Sequence, residues 1–183
     1  GAAIAGYILY RFFGFWFRKI PSILAQDIIL KSSAIISGGL GSFALGANNV
    51  ANVTGSFAEI IGVDKAVLIG GLSISAGAIM FSRIVMYTIG TKIVALEAFA
   101  SIIASLAQSV TVLIYAFIGV PVSVSQAIVG AVIGVGLARG TKNFDSGMTR
   151  RIVYGWVFTP VISGVISIVL YLSLSSILVT LPK

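Results

Sequence analysis

The sequence predicts an all-α integral membrane protein. Three observations carry this: charge is scarce, the uncharged runs have helix length, and they are broken by Gly, Asn and Pro rather than by regular alternation. The 183 residues are 58% hydrophobic and 9% charged, with a mean hydropathy of +1.10. Soluble domains average about 25% charged residues, so a soluble fold would lack the ionic surface to cover itself. No charge occurs over residues 32–58, 66–82, 98–138 or 152–182. A spanning helix needs about 20 apolar residues, and the 41-residue run 98–138 divides at Pro121 into pieces of 23 and 18. A transmembrane barrel would alternate over segments of about 10 residues; the run 161–172 does not.

Residues 2–17 form an apolar, aromatic-rich helix, either the tail of a span or a short one. Its end, with Arg11, Phe12, Phe13, Phe15, Trp16, Phe17, Arg18 and Lys19, has the composition of an interfacial belt. Pro21 and Ser22 start an amphipathic helix to about Lys31. Residues 32–61 hold Ser37, Gly38, Gly39, Gly41 and Ser42, then Asn48, Asn49, Asn52 and Gly55, and this predicts an interrupted helix. Asp64 and Lys65 mark a turn. Residues 66–82 make a Gly- and Ser-rich span suited to close helix contact, 87–92 a connection, and 98–118 a further span. Pro121 is expected as a helix start, opening a half-helix within 119–138. There Gly130 and Gly134 have the spacing of a close backbone approach. Residues 139–151 read as a polar basic loop, and 153–178 as a last span kinked at Pro160.

The net charge is +7, gathered as Arg11, Arg18, Lys19 and Lys31, and again as Arg139, Lys142, Arg150 and Arg151. Such clusters mark cytoplasmic loops and contact with anionic membrane lipid. No continuous basic surface lies beside readable elements, so no nucleic-acid partner is expected. With a cytoplasmic 139–151 loop and a re-entrant segment at Pro121, the 83–97 loop falls outside; a complete crossing reverses that placement. Cysteine and histidine are absent. Disulfides, Cys/His metal sites and Cys or His nucleophiles are thereby excluded, and the apolar segments hold no paired carboxylates. An enzyme is not expected, nor a cofactor or a bound metal other than sodium. The chain opens on Gly1 inside an apolar segment without a basic leader. A signal peptide is not indicated, and a larger parent protein is expected.

Irregular backbone at membrane depth survives only when buried or lining a wet cavity. A helix starting near Asn48 would present unpaired N–H groups and a positive dipole end. Asn49 and Asn52 share its face, with Ser56 and Glu59 continuing it. This offers amide donors to an anion and oxygens to a cation; the alternative is that the asparagines cap and join helices. Glu59 is a candidate cation ligand or charge relay, or a carboxylate facing a turn. In the second segment Ser123 and Ser125 sit among the first N–H groups after Pro121, with Gln126 next. That suits an oxyanion, the alternative being an ordinary Ser-capped helix. Two helix breaks in one apolar chain fit the half-helix substrate sites of secondary transporters. Arg83 is expected to snorkel to the interface. Gln108 and Thr111, three apart, would line a pathway or join helices.

Residues 43–55, which contain Gly46-Ala47-Asn48-Asn49-Val50-Ala51-Asn52, resemble the duplicated signature of the inorganic phosphate transporter family, typically Gly-Ala-Asn-Asp-Val-Ala-Asn. Gly119-Val120-Pro121-Val122-Ser123-Val124-Ser125-Gln126 resembles its Gly-Leu-Pro-Val-Ser-Thr-Thr-His. Residues 150–160, ending in Trp156, Thr159 and Pro160, look like its final basic-Trp-Thr-Pro segment. The resemblance covers about residues 35–175, and the motif order matches the C-terminal half.

It implies a transporter half with discontinuous helices, half or re-entrant, forming one of two inverted repeats in a multi-pass protein of the cell membrane. It also implies secondary transport of inorganic phosphate coupled to sodium or protons. Asn48, Asn49, Asn52, Ser123, Ser125 and Gln126 fall on substrate positions, with Asn49, Asn52 and Glu59 as cation-site candidates. Asn49 replaces the family's aspartate, removing a carboxylate. Val124 replaces a threonine hydroxyl, Ser125 keeps one, and Gln126 in place of histidine removes a proton switch. The expected partners are inorganic phosphate, the other half of the permease, membrane lipid and a second copy in a homodimer. The alternatives are a sulfate or other oxyanion carrier, and a non-transporting membrane scaffold.

Overall fold

The computed structural model describes residues 1–88, 96–140 and 146–180. Residues 89–95, which take in most of the expected 87–92 connection, lie outside the described residues. So do 141–145 of the expected basic loop, including Lys142, and 181–183. All regular structure among the described residues is helical: α1 (Ala2–Phe17), α2 (Ile23–Ile61), α3 (Val63–Thr88), α4 (Ala98–Ile118), α5 (Val124–Arg139) and α6 (Ser146–Thr180). The chain forms two compact units, Gly1–Phe144 and Asp145–Lys183. Four stretches, Ile23–Ile61, Val63–Arg83, Ala98–Ile118 and Thr149–Ser173, are long and apolar enough to cross a membrane. The chain is a multi-pass membrane protein.

In the first unit α4 is central, packing against α1, α2 and α5, while α3 packs on α2 and α1 on α5. Its buried face is Ala100, Ile103, Ala104, Ala107 and Val112. Small residues dominate because helices in lipid gain nothing from hiding apolar surface and associate through close packing. The α1–α5 contact shows this most clearly. A Cβ on Gly134 would run into the backbone of Ala3, and one on Gly6 would sit 2.7 Å from the Ala131 carbonyl oxygen. Gly134 and Gly6 therefore permit the approach of α1, whereas a Cβ on Gly130 would meet Ala3 N at an ordinary 3.6 Å.

Helix α2 runs unbroken from Ile23 to Ile61, through the interruption the sequence suggested at 32–61. Glycine costs a helix about 1 kcal/mol relative to alanine. A break among apolar residues would strand several backbone groups at about 1–3 kcal/mol each. No proline occurs between Pro21 and Pro121, so nothing forces that break. The hydroxyls bond back to the preceding turn: Ser42 Oγ donates to the Gly38 carbonyl at 3.0 Å and Thr54 Oγ1 to that of Val50 at 2.8 Å.

The turn expected at Asp64 and Lys65 falls instead at Gly62, whose φ of +87° suits glycine. Asp64 joins the first turn of α3, where a carboxylate favours the positive helix end.

Helix α4 ends with Gly119 at φ +78°. The Gly119 N–H donates to the Ala116 carbonyl at 3.1 Å and the Val120 N–H to that of Tyr115 at 2.9 Å, a Schellman closure. Pro121 does not open α5 itself. Ser123 is the cap: its Oγ accepts from the Gln126 N–H at 3.3 Å, and its carbonyl takes the first helical bond, from the Ala127 N–H at 3.0 Å. A serine offers an acceptor to an otherwise unpaired N–H, and a proline cannot. At the other end of this hairpin Arg139 Nη2 lies 3.7 Å from Glu97 Oε2, and Tyr10 donates to Glu97 Oε1 at 3.4 Å. The start of α4 and the end of α5 therefore share one end of the unit. Residue 97 lies on the same side as Arg139, as in the complete-crossing alternative.

In the second unit α6 begins at Ser146, so Arg150 and Arg151 of the expected loop are helical, and it continues through Pro160. Arginine is a good helix former, and polarity alone does not make a loop.

Candidate functional site

The two motifs meet through one side chain. Asn48, 4% exposed, donates from Nδ2 to the Val122 carbonyl at 2.8 Å and to Asn49 Oδ1 at 2.9 Å. Its Oδ1 accepts from the Val122 N–H at 3.2 Å. The amide thus satisfies both backbone groups of Val122, much as a neighbouring strand would. The reversed amide would set Oδ1 against the Val122 carbonyl and Nδ2 against its N–H, so the partners determine the orientation. Both amide protons are engaged. Asn48, expected on a substrate position, holds the Pro121–Ser123 segment through these bonds.

Two clefts flank this junction. The smaller, about 110 Å³, is lined by Asn48, Asn52, Ala116, Gly119, Val120 and Pro121 among others. The larger, about 460 Å³, is lined by Thr111, Tyr115, Pro121, Val122, Ser123 and Gln126, together with the start of α1. Pro121 borders both. The N–H groups of Val124 and Ser125 precede the first backbone bond of α5, which gives this terminus its partial positive charge. With the Ser123 hydroxyl and the Gln126 amide, the larger cleft offers donors without a formal cation. Such a set can replace the hydration of an oxyanion.

The expected residues are thus brought together in part. Asn52 shares the smaller cleft with Asn48, while Ser123 and Gln126 lie in the larger one. Asn49 is half-buried and linked to Asn48. Ser125 is exposed on the first turn of α5 and lines neither cleft. Glu59 is exposed seven residues beyond Asn52, about 10 Å along the helix axis. The structure does not bring it to the junction. Asn52, Ser56 and Glu59 form an exposed polar stripe on α2. Of the Gln108/Thr111 pair, Thr111 lines the larger cleft and Gln108 is buried at 8% exposure. Tyr115 was missed by sequence reasoning. Its spacing of four from Thr111 puts both on one helical face, a signal that tyrosine's frequency at membrane interfaces obscured.

Apolar spans, a central hairpin and a polar junction of asparagine, serine and glutamine define a helical membrane protein of the transporter class. The pattern of the phosphate transporter family matches residues 15–167, and the chain belongs to that family, which consists of transporters and not of enzymes. Over 168 residues it is 33% identical to a Pyrococcus abyssi protein that bears the name of a phosphate permease, covering 85% of this chain and 42% of the relative. A Bacillus subtilis protein named a sulfate permease is 29% identical over 90% of this chain and 47% of its own length. A mouse protein named sodium-dependent phosphate transporter 1 is 31% identical over 77% of this chain and 22% of its own length. The chain thus spans about half, or less, of the curated relatives it matches. No solved structure gives a significant match.

Proposed function

We propose that this chain works as one half of a secondary transporter for inorganic phosphate, with a co-transported sodium ion or proton offsetting the anion's charge. The observation that carries this reading is the Asn48–Val122 junction. It holds the Asn motif against the start of α5, beside a cleft lined by the Ser123 hydroxyl and the Gln126 amide. In this reading Ser123, Gln126 and the first N–H groups of α5 hold the phosphate oxygens, with Ser125 entering as the half-helix reorients. Asn49 and Asn52 contribute amide oxygens toward the cation, and Glu59 serves it farther along α2. A bare polar stripe is costly against lipid, so the other half of the permease covers Asn52, Ser56 and Glu59 and encloses the site. Movement of one half against the other alternates access.

A sulfate carrier is the second reading, favoured by the similarity to a protein named a sulfate permease. Both oxyanions are tetrahedral, and a cleft built of neutral donors distinguishes them only through their protons. The test is radiolabelled phosphate uptake by the full-length permease in proteoliposomes, with and without a sodium gradient, and with excess sulfate. Sodium-dependent uptake that sulfate leaves unchanged supports the phosphate symporter. Competition by sulfate moves the substrate to the wider oxyanion class. Folded protein that takes up neither anion under sodium or proton gradients overturns the carrier and favours a membrane scaffold.

A further inference from the structure

The end of the first unit remote from the Asn48–Val122 junction carries a different set of groups. A cleft of about 350 Å³ is lined by Tyr10, Arg11, Gly14, Phe15, Arg18 and Lys19, with Ala138 of α5. Arg11 on α1 and Arg18 at its C-cap are seven apart, two turns along one face. Lys19, just past the helix end, sets its ammonium 4.1 Å over the Phe15 ring. Among the described residues the carboxylates of Asp27 and Glu97 pair with Lys31 and Arg139, and Arg11, Arg18 and Lys19 form no ion pair. Three cations thus border one concavity, beside the aromatic belt that marks headgroup level.

The concavity leads into apolar surface. A second cleft, about 410 Å³, shares Tyr10, Gly14 and Arg18 with the first and is bordered by Phe17, Leu30 and Glu97. A third, about 310 Å³, shares Phe17, Leu30 and Phe99 with the second and is otherwise lined by residues such as Trp16, Ile29 and Ile102. Gly14 leaves this passage open at α1. The Phe17 ring stacks on Phe99 with centroids 4.6 Å apart and so holds α1 against α4 along the apolar stretch. The result is a cationic mouth continuous with a hydrophobic groove, in a protein surrounded by lipid.

We propose that this trough binds one anionic glycerophospholipid, its phosphate between Arg11, Arg18 and Lys19 and an acyl chain along Phe17, Leu30, Phe99 and Ile102. Charge complementarity selects an anionic headgroup over a zwitterionic one. The groove selects a phosphate that carries a chain over free phosphate. Helix α4, 21 residues long, separates the cationic mouth from the junction by about 30 Å, and Leu106, where the groove ends on α4, stands about 20 Å short of Gly119. The lipid site is therefore distinct from the proposed transport site.

The experiment uses the purified full-length protein in nanodiscs of phosphatidylcholine with a small fraction of phosphatidylglycerol, and native mass spectrometry counts the phosphatidylglycerol retained. The double variant Arg11→Gln/Arg18→Gln is expected to retain it about 30-fold more weakly, at roughly fivefold per cation near an anionic surface. Arg150→Gln/Arg151→Gln removes equal charge from residues that line none of these clefts and is expected to leave retention unchanged. Ser33→Trp fills the apolar groove, which Ser33 also lines. It is expected to weaken long-chain phosphatidylglycerol while sparing a short-chain analogue. Excess inorganic phosphate is expected not to displace the lipid. Equal losses in the two double variants, unchanged retention in Arg11→Gln/Arg18→Gln, or displacement by inorganic phosphate each overturn the proposal.

Discussion

Asn48 of α2 and Val122 of the α4–α5 turn are 74 residues apart and form a two-hydrogen-bond pair, with the side-chain amide satisfying both the carbonyl and the N–H of Val122. Everything that distinguishes the two flanking clefts depends on this clamp, because it sets where the first turn of α5 points.

Removing the clamp has a definite cost. Asn48→Ala leaves the Val122 N–H and carbonyl without their partner, a loss of about 1–3 kcal/mol. Asn48→Asp keeps the acceptor but turns a carboxylate oxygen toward the Val122 carbonyl, and is expected to be at least as destabilising. Thermal unfolding in detergent checks both. An unchanged midpoint for Asn48→Ala would sink the positioning role.

Ser123 has two roles that substitutions separate. Ser123→Ala removes the cap on the Gln126 N–H, costing about 1 kcal/mol. Ser123→Asp keeps a capping oxygen and suits the positive helix end, so the protein is expected to fold with near-native stability. Its fixed negative charge in the larger cleft is expected to abolish anion uptake. Uptake retained by Ser123→Asp would separate that cleft from substrate.

Asn49→Asp is expected to preserve the contact with Asn48 Nδ2, because a carboxylate oxygen accepts as well as an amide oxygen does. It restores a negative charge close to the junction. The proposed function predicts that half-maximal uptake is reached at a lower sodium concentration than in the parent. Uptake measured across a sodium series decides this, and no shift would remove Asn49 from the cation site.

The glycines of α5 differ although their spacing makes them look alike. A Cβ at Gly130 meets Ala3 N at an ordinary 3.6 Å, whereas one at Gly134 strikes the Ala3 backbone. Gly130→Ala is expected to be neutral or to stabilise by up to about 1 kcal/mol through helix propensity. Gly134→Ala is expected to cost about 1–3 kcal/mol through forced separation of α1 from α5. Comparing the two unfolding midpoints tests the packing directly.

The Glu97–Arg139 proximity is a statement about topology more than stability, since half-exposed ion pairs contribute about 0–1 kcal/mol. The chain has no native cysteine, so Leu96→Cys and Arg139→Cys supply unique labels. Both are expected to react with an impermeant reagent from the same side. Arg11, Arg18 and Lys19 lie at that end as well, so the positive-inside bias predicts labelling from the cytoplasmic side. Labelling from opposite sides would contradict the hairpin.

Much of the architecture could be read from residue order. The spans at 66–82 and 98–118, a helix over 2–17 and the end of α4 at Gly119 follow from local hydropathy and turn chemistry. The interruption expected at 32–61 did not appear, because glycines and asparagines weaken a helix without forbidding it, and only a proline would have removed a bond outright. The helix start expected at Pro121 falls at Ser123 for a similarly local reason, the availability of a capping acceptor. The site was legible as two segments but not as one place, and no spacing along the chain connects Asn48 to Val122.

By itself the sequence determined that this protein lives in lipid, where its long helices lie, and which motifs it shares with phosphate transporters. Apolar transfer and helix propensity add up residue by residue, so they can be read in order. Only the tertiary structure decided that the Asn48 amide is committed to a peptide group, that Gly134 and not Gly130 is the tight contact, and that Glu97 neighbours Arg139. Those outcomes depend on the direction of a hydrogen bond or the distance between two backbones. Such quantities exist only between residues that folding brings together.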